Sequence, residues 1–443
     1  SDFIEQIAQL ITKKDGTALR EVLQEFHFAD IAELIEELKS DQATYLVKQL
    51  ESDLTSEALM ELDDDVREKI LERLSPIEIA AELQELDTDD AADIIGELDE
   101  TIQQKVIDKI EDQERAADIV ELLNYDEDTA GALMAKELVQ VKETWTVAGC
   151  VREMRRQAEN VTRVHSIYVT NKEGKLTGRL SLKDLLTAEA KTKISDVFIP
   201  KVDYVTVHTE NEEVARIMQK YDLEAIPVVD DKGVLVGRIT IDDIVDFIKD
   251  EAEKDYQMAA GISQDVEADD SIIDLTKARL PWLVLGLLGG LGSVYIMRGY
   301  DEALATHVEL FFFTPLIAAM AGNVGVQSSA IIVQGLANDN VKGSLFKRLL
   351  KEVGLALING LALGVLVILF GALTQMDQQV AFTIAISMLL VIIVAALVGT
   401  FVPIILDKKG IDPAIATGPF ITTSNDIFGI FLFFFIAKII LNF

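Results

Sequence analysis

The chain has 443 residues and a positive mean hydropathy, yet it carries 75 acidic against 40 basic residues, a formal net charge of −35. A uniform globular domain rarely combines the two, and so much negative charge excludes nucleic acid as a partner while favouring multivalent cations. One cysteine, Cys150, excludes an internal disulfide, and four scattered histidines with no CxxC pair make a zinc centre a poor fit. The charge is segregated: residues 276–443 hold nine acidic and ten basic side chains, so residues 1–275 hold 66 acidic and 30 basic, a net of −36. An acidic soluble part therefore adjoins a nearly neutral, apolar one.

Along the first part, leucine or isoleucine recurs every twelve residues, at Leu38, Leu50, Leu62, Leu74, Leu86, Leu98, Ile110 and Leu122. Three residues before each stands another apolar residue: Ile35, Val47, Leu59, Leu71, Leu83, Ile95, Ile107 and Ile119. Pairs at i, i+3 mark one face of a helix, and a step of twelve leaves room for about two turns and a short loop. Asp53, Asp63, Ser75-Pro76, Asp87, Asp99 and Asp112 between the pairs suit helix N-termini. Short helices cannot bury their own apolar face, so neighbours must stack. Residues 1–126 read as an acidic, superhelical all-α N domain, whose acidic rim is either a solvated capping surface or a cation-responsive face.

Strand and helix then alternate, twice. HSIYVTNKEGKLTGRLSLKDLL and EAIPVVDDKGVLVGRITIDDIV each hold an apolar strand, a glycine-containing hairpin, a second strand and a helix start. Each carries G-x-x-[ST]-x-x-D, as Gly178, Ser181 and Asp184, then Gly237, Thr240 and Asp243, 59 residues apart. The doubled motif, with Ile226-Pro227-Val228-Val229 before its second copy, resembles a tandem pair of α/β CBS domains, over 127–190 and 191–250. The resemblance implies that Ser181, Asp184, Thr240 and Asp243 hold the phosphate and ribose of ATP or another adenine nucleotide; helix capping explains the same residues without a ligand. Residues 251–275 follow as an acidic connecting, or plug, helix.

From 276 to 443 five apolar stretches, about 281–298, 304–336, 349–374, 380–406 and 412–441, are each long enough to cross a hydrocarbon core. With the acidic part in the cytoplasm, the inner flanks hold Lys277, Arg279, Lys342, Lys347, Arg348, Lys351, Lys408 and Lys409, and the outer flanks only Arg298 and Lys438. That asymmetry sets a cytoplasmic N-terminus and an outer C-terminus in an inner or plasma membrane. Glu309 falls in the second stretch and Asp426 in the fifth, 14 residues past Asp412. A carboxylate about 20 Å along a membrane helix needs water, a cation or a partner charge. The surrounding ATGPFITTSNDIFG supplies hard oxygen donors, Thr422 and Asn425 among them, suited to Mg2+ or Ca2+. In PLIAAMAGNVGVQSSA, small residues with Asn323 and Gln327 allow close packing or a pore wall.

The helical array, the CBS pair and the five-span domain, and above all PLIAAMAGNVGVQ and TTSNDIFG, resemble the MgtE family of magnesium transporters. The fold class is then multidomain: an all-α superhelical N domain, α/β tandem CBS domains and an all-α polytopic membrane domain with five transmembrane helices. The resemblance implies a homodimeric Mg2+ channel in which Asp426 and the Thr422 carbonyl bind hydrated Mg2+. It also implies cytoplasmic Mg2+ sensor sites that close the pore, with Asp89, Asp93, Asp222, Asp243, Asp246, Glu251, Asp255 and Asp412 as ligands. Lys254 departs from the family pattern, which has a carboxylate there. A transporter of Mn2+ or Co2+, or a membrane-anchored nucleotide sensor, remains open at this point. An enzyme does not fit, since there is no P-loop and no nucleophile–base pair.

Overall fold

The computed structural model describes residues 2–158, 161, 164–264, 266, 268, 270–338, 341 and 343–443; Lys342, counted above as an inner-flank charge, lies outside them. The chain divides into two compact units, Ser1–Ile248 and Lys249–Phe443.

In the first unit the twelve-residue step becomes a run of short helices: Phe28–Glu36, Ser40–Gln49, Ser52–Met60, Asp64–Leu71, Pro76–Leu83, Thr88–Gly96, Glu100–Ile107 and Gln113–Leu122. The first apolar residue of each pair is helical, and Ile35, Leu59, Leu83, Ile95 and Ile119 are almost fully buried. Most of the second set lie just past a helix end. The N–H of Leu38, Leu74, Leu98 and Ile110 donates to the carbonyl three residues back, at 3.1–3.2 Å, closing a tight turn with an otherwise orphan carbonyl. Because each helix reverses after about two turns, the next but one becomes its neighbour. Phe28–Glu36 packs on Ser52–Met60, that on Pro76–Leu83, and that on Glu100–Ile107, while Ser40–Gln49 packs on Asp64–Leu71 and Thr88–Gly96 on Gln113–Leu122.

One buried acid in this array makes a stability prediction. Glu82 is 7 % exposed and accepts hydrogen bonds from Thr55 Oγ1 at 2.6 Å and Ser52 Oγ at 3.3 Å. Burial raises its pKa from 4.5 to about 7, against the lowering effect of those hydroxyls. The folded state therefore holds a proton that the unfolded chain releases, so stability is lost as pH rises from about 4.5 to about 7. Glu82→Gln should raise the melting temperature of the cytoplasmic unit at pH 8 by roughly 4–8 °C, equivalent to about 2–3 kcal/mol, and leave it unchanged at pH 4. Thermal melts of the full chain at the two pH values check this; equal shifts at both would assign the effect to packing.

The two middle modules share one topology. In each, a first strand pairs in parallel with the second across a helix, and the second pairs antiparallel with the third: Val139–Lys142, Ile167–Thr170 and Leu176–Leu180, then Val205–Thr206, Ala225–Val229 and Leu235–Thr240. The hairpins repeat in detail. Asn171 Oδ1 accepts from the N–H of Glu173 and Lys175, and Asp230 Oδ1 from Lys232 and Val234. The modules are also interleaved. Arg179 exchanges backbone hydrogen bonds with Ile199, and Arg238 with Ala135, so the segment entering each module closes the sheet of the other. Motif glycines 178 and 237 sit at those crossings, where a Cβ would lie 2.4 Å and 2.7 Å from the carbonyls of Ile199 and Ala135. Cys150 is fully buried in the first module and burial pushes its thiol up to about 11, which makes it a poor labelling site.

The second unit contains five helices of 23 to 31 residues, long and apolar enough to cross a membrane: Ile272–Arg298, Thr314–Ala337, Leu345–Leu373, Gln378–Lys408 and Pro419–Leu441. The second packs on the fourth and fifth, the third on the fourth, and the first on the fifth. Several boundaries differ from the sequence reading. The first long helix begins at Ile272 rather than about 281, since Asp274 and Lys277 in its first turns lower the hydropathy there, and the connecting helix expected over 251–275 ends at Ala260, before Gly261 in a left-handed conformation. Glu309 is not in the second long helix but on a four-residue helix, Glu309–Phe312, before it; Pro315 starts the long helix at Thr314, while the apolar run Phe311–Phe313 had merged the two in hydropathy. The fifth long helix starts at Pro419, after a 3-10 turn, Pro413–Ala416, rather than at 412. Asp426 is therefore seven residues, about 10 Å, along its helix, not 14.

Candidate cation path and acidic cluster

Asp426 is brought to the second long helix by small residues. Its Oδ1 lies 3.4 Å, and Thr422 Cγ2 3.5 Å, from where a Cβ on Gly322 would stand. The half-buried Asp426 carboxylate has no ion pair or hydrogen bond among the described residues. Thr422 Oγ1 donates to the Gly418 and Pro419 carbonyls, both at 3.1 Å. Next to Gly322 on the same helix, Asn323 and Gln327 are exposed, one turn apart. Asn425 is turned the other way, 1 % exposed among the helices. Among the described residues Glu309 makes no hydrogen bond or ion pair to this cluster.

The chain enters the fifth helix through a close crossing. Gly418, at φ +56 and ψ −130, is in a region only glycine occupies readily, and a Cβ there would lie 1.9 Å from the Ala259 carbonyl. Pro419 likewise packs against Gly261. The end of the acidic helix Ile241–Ala260 is thereby held on the start of the helix that carries Asp426. Ser263 adds to this hold. Its N–H and Oγ both donate to the Ala278 carbonyl at 3.0 Å, beside Pro281, which opens the first long helix there.

The sensor positions divide between the two units. In the first, Asp89 and Asp243 sit close enough for each to raise the other's field, together with Asp87 and Asp90. Asp89 is buried and its Oδ1 has no hydrogen-bond partner; burial and then Asp90 hold its pKa well above the usual range. Burial, then Asp243 and Asp93, push Asp90 up to about 8. Asp90 was not picked out from sequence, since the acidic repeat offers many equivalent registers. Asp93, Asp222 and Asp246 are exposed, with Asp222 in a left-handed conformation at a helix end. A cationic network borders the cluster. Arg238 pairs with Asp87 at 3.0 Å, Arg115 with Glu137 at 2.9 Å, and Glu137 accepts from Thr88 Oγ1 at 2.7 Å. In the second unit Glu251 pairs with Lys254 at 3.3 Å, and Asp412 caps the 3-10 turn through the Ala414 N–H at 2.8 Å. Asp255 lies one turn beyond Glu251 and is half-buried. Among the described residues no group of three or more acidic, histidine or cysteine side chains is arranged to hold a metal directly.

In the paired modules the motif residues serve each other. Ser181 Oγ donates to Asp184 Oδ2 at 2.6 Å and accepts from its N–H at 3.0 Å, while Thr240 donates to Asp243 Oδ2 through Oγ1 at 2.5 Å and through N–H at 2.9 Å. Sequence reasoning missed the buried Tyr168 hydroxyl, which has no hydrogen-bond partner and feels the positive fields of Arg238 and Arg179. It also missed Glu352 on the third long helix, which accepts from Ser328 of the second at 2.5 Å. Neither leaves a local sequence signal, because the groups that surround each come from different elements.

Comparison with known proteins accords with this arrangement. Residues 314–436 match the divalent cation transporter family MgtE, 26–128 the MgtE intracellular N domain, and 130–191 and 194–250 the CBS domain. The chain is 36 % identical to the magnesium transporter MgtE of Bacillus subtilis (strain 168), over 71 % of this chain and 70 % of that one. It is 35 % identical to the magnesium transporter MgtE of Thermus thermophilus, over 72 % of each. The solved cytosolic domain of the Mg2+ channel MgtE in complex with ATP aligns over 55 % of this chain and 99 % of its own, with a TM-score of 0.52 and 36 % identity. With five apolar helices the chain is a multi-pass membrane protein, and it belongs to the MgtE family of magnesium transporters, which are not enzymes.

Proposed function

We propose that the chain is a homodimeric, Mg2+-gated Mg2+ channel of the inner or plasma membrane, with its N-terminus in the cytoplasm and its C-terminus outside. Residues 1–126 and the CBS pair over 127–250 act as sensor, 251–275 as connecting plug and 276–443 as pore. The observation that carries this reading is the Asp426 carboxylate, unpaired among the described residues and lying at Gly322 of the second long helix, which also carries the exposed Asn323 and Gln327. Polar side chains on the outside of a membrane helix are costly against lipid, and a water-filled path shared with a second copy removes that cost. One carboxylate with the Thr422 carbonyl cannot replace an octahedral water shell, so Mg2+ passes largely hydrated.

The sensor reading rests on Asp89, whose buried oxygen lacks a partner, beside Asp90, Asp93 and Asp243. Because no direct cage of three is formed, Mg2+ there would be held partly through its waters; Asp222, Asp246, Glu251, Asp255 and Asp412 would add charge to the same response. An adenine nucleotide at the CBS pair is supported by the ATP complex of the related cytosolic domain. Ser181 and Thr240 would contact it only by sharing hydroxyls now bonded to Asp184 and Asp243.

The test is ion flux into liposomes holding the purified chain, under a Mg2+ gradient with Mn2+, Co2+, Ca2+ and Na+ as competitors. Mg2+ flux that falls as Mg2+ on the cytoplasmic face rises is expected. Flux of Mn2+ or Co2+ in preference to Mg2+ would reassign the cargo, and no flux with saturable nucleotide binding would favour a membrane-anchored nucleotide sensor.

A further inference from the structure

Asn425 and Asp426 are neighbours on one helix, so their side chains point about 100° apart. In this conformation Asp426 is partly open beside Gly322, while Asn425 is 1 % exposed. Neither Oδ1 nor Nδ2 of Asn425 has a hydrogen-bond partner among the described residues. The amide presses on Gly325, with Nδ2 1.8 Å from the position a Cβ there would take. On its other side is a small void lined by Val391, Val394, Ala395, Phe428 and Gly429, with no space that a water molecule could occupy.

A primary amide with four hydrogen-bonding positions is thus sealed in apolar packing with none filled. Buried amides in native structures are almost always paired, and in a membrane the cost of leaving one unpaired is higher because lipid offers no substitute. Such a residue is retained where another conformation uses it. The helix surface that faces it is made of small residues, since Gly325 meets the fifth helix on one side and Gly399 on the other, where a Cβ on 399 would lie 2.4 Å from the Gly325 carbonyl.

We infer that Asn425 is a state-dependent pore residue: the conformation described is non-conducting, and opening turns the fifth long helix so that the Asn425 amide joins Asp426 in the aqueous path. This rests on the reading of Asp426 as a pore carboxylate. In the open state the amide oxygen accepts hydrogen bonds from the waters of a hydrated divalent cation, adding a neutral hard donor next to the charged one. The unpaired amide in the shut state makes that state shallower, so opening needs less drive.

Two variants of the full chain in liposomes test this. Asn425→Leu keeps the shape and removes the polar atoms. It should raise the melting temperature by about 3 °C or more and lower Mg2+ flux at low cytoplasmic Mg2+ about tenfold. Asn425→Cys in a Cys150→Ala background should react with a water-soluble methanethiosulfonate in chelator and be protected in millimolar Mg2+. Wild-type flux in Asn425→Leu, or equal modification of Asn425→Cys in both conditions, overturns the inference. If Asp426→Asn abolishes flux while Asn425→Leu conducts normally, the inference fails and the pore reading stands; if Asp426→Asn itself conducts, the pore reading has failed first.

Discussion

Asp426→Asn is expected to abolish Mg2+ uptake while leaving the chain folded. The substitution is nearly isosteric, and the space beside Gly322 that receives one carboxylate oxygen receives an amide as well. What it removes is charge. A divalent ion held through one water layer, about 5 Å away, interacts with a carboxylate by about 2 kcal/mol at the dielectric of water and about 7 kcal/mol at an effective value of 20. That is at least a tenfold loss of occupancy at this point of the path, and roughly 10^5-fold at the lower effective dielectric. Asp426 is the one carboxylate in the three nearest contacts of Gly322 among the described residues. Flux measured in liposomes beside a thermal melt decides the matter: wild-type flux in a variant with an unchanged melt would remove Asp426 from the permeation site.

Mg2+ should hold the N domain against the CBS pair, and deletion of residues 1–126 should leave flux that Mg2+ no longer shuts off fully. The interface between the array and the CBS pair has two parts. The pairs of Arg238 with Asp87 and Arg115 with Glu137 are attractive without any ion. The adjacent Asp89, Asp90 and Asp243 repel one another at close range, and each like-charge pair 4 Å apart opposes docking by about 4 kcal/mol at an effective dielectric of 20. A cation among them reverses that sign. Limited proteolysis near residues 125–135, and in the connecting segment 250–275, should therefore be several-fold faster in chelator than in millimolar Mg2+. Protons should act in the same direction. Burial first, and then Asp243, raise Asp90 to about 8, so the docked state holds a proton that the separated state releases between about pH 4 and pH 8. In chelator, docking weakens as pH rises through that window, and cleavage at pH 8 should outpace cleavage at pH 6. Equal cleavage with and without Mg2+, together with unchanged Mg2+ inhibition in the deletion, would make the acidity a solubility feature.

The sequence by itself determined the parts of this protein that depend on local pattern. The leucine step fixed the eight helices from Phe28 to Leu122 because each short helix spends its own apolar pair on a neighbour, and burial of Ile35, Leu59, Leu83, Ile95 and Ile119 follows that pattern; Asp2–Thr12 and Gly16–Leu23, which precede the repeat, did not show in it. Five membrane helices were legible because lipid imposes a minimum apolar length on each, and the doubled G-x-x-[ST]-x-x-D fixed the paired modules through their hairpins. Hydropathy does not record backbone direction, so the break after Glu309 and the late start at Pro419 were missed where apolar residues ran on through a turn. Only the tertiary structure decided which helices of the array stack, that the two modules exchange entry strands at Ile199 and Ala135, that Asp89 and Asp90 face Asp243, and that Asn425 is sealed against Gly325. Each of these joins residues far apart in the chain. Their energies come from burial, charge and close backbone approach, which depend on the distance in space between elements and leave no periodic trace along either one.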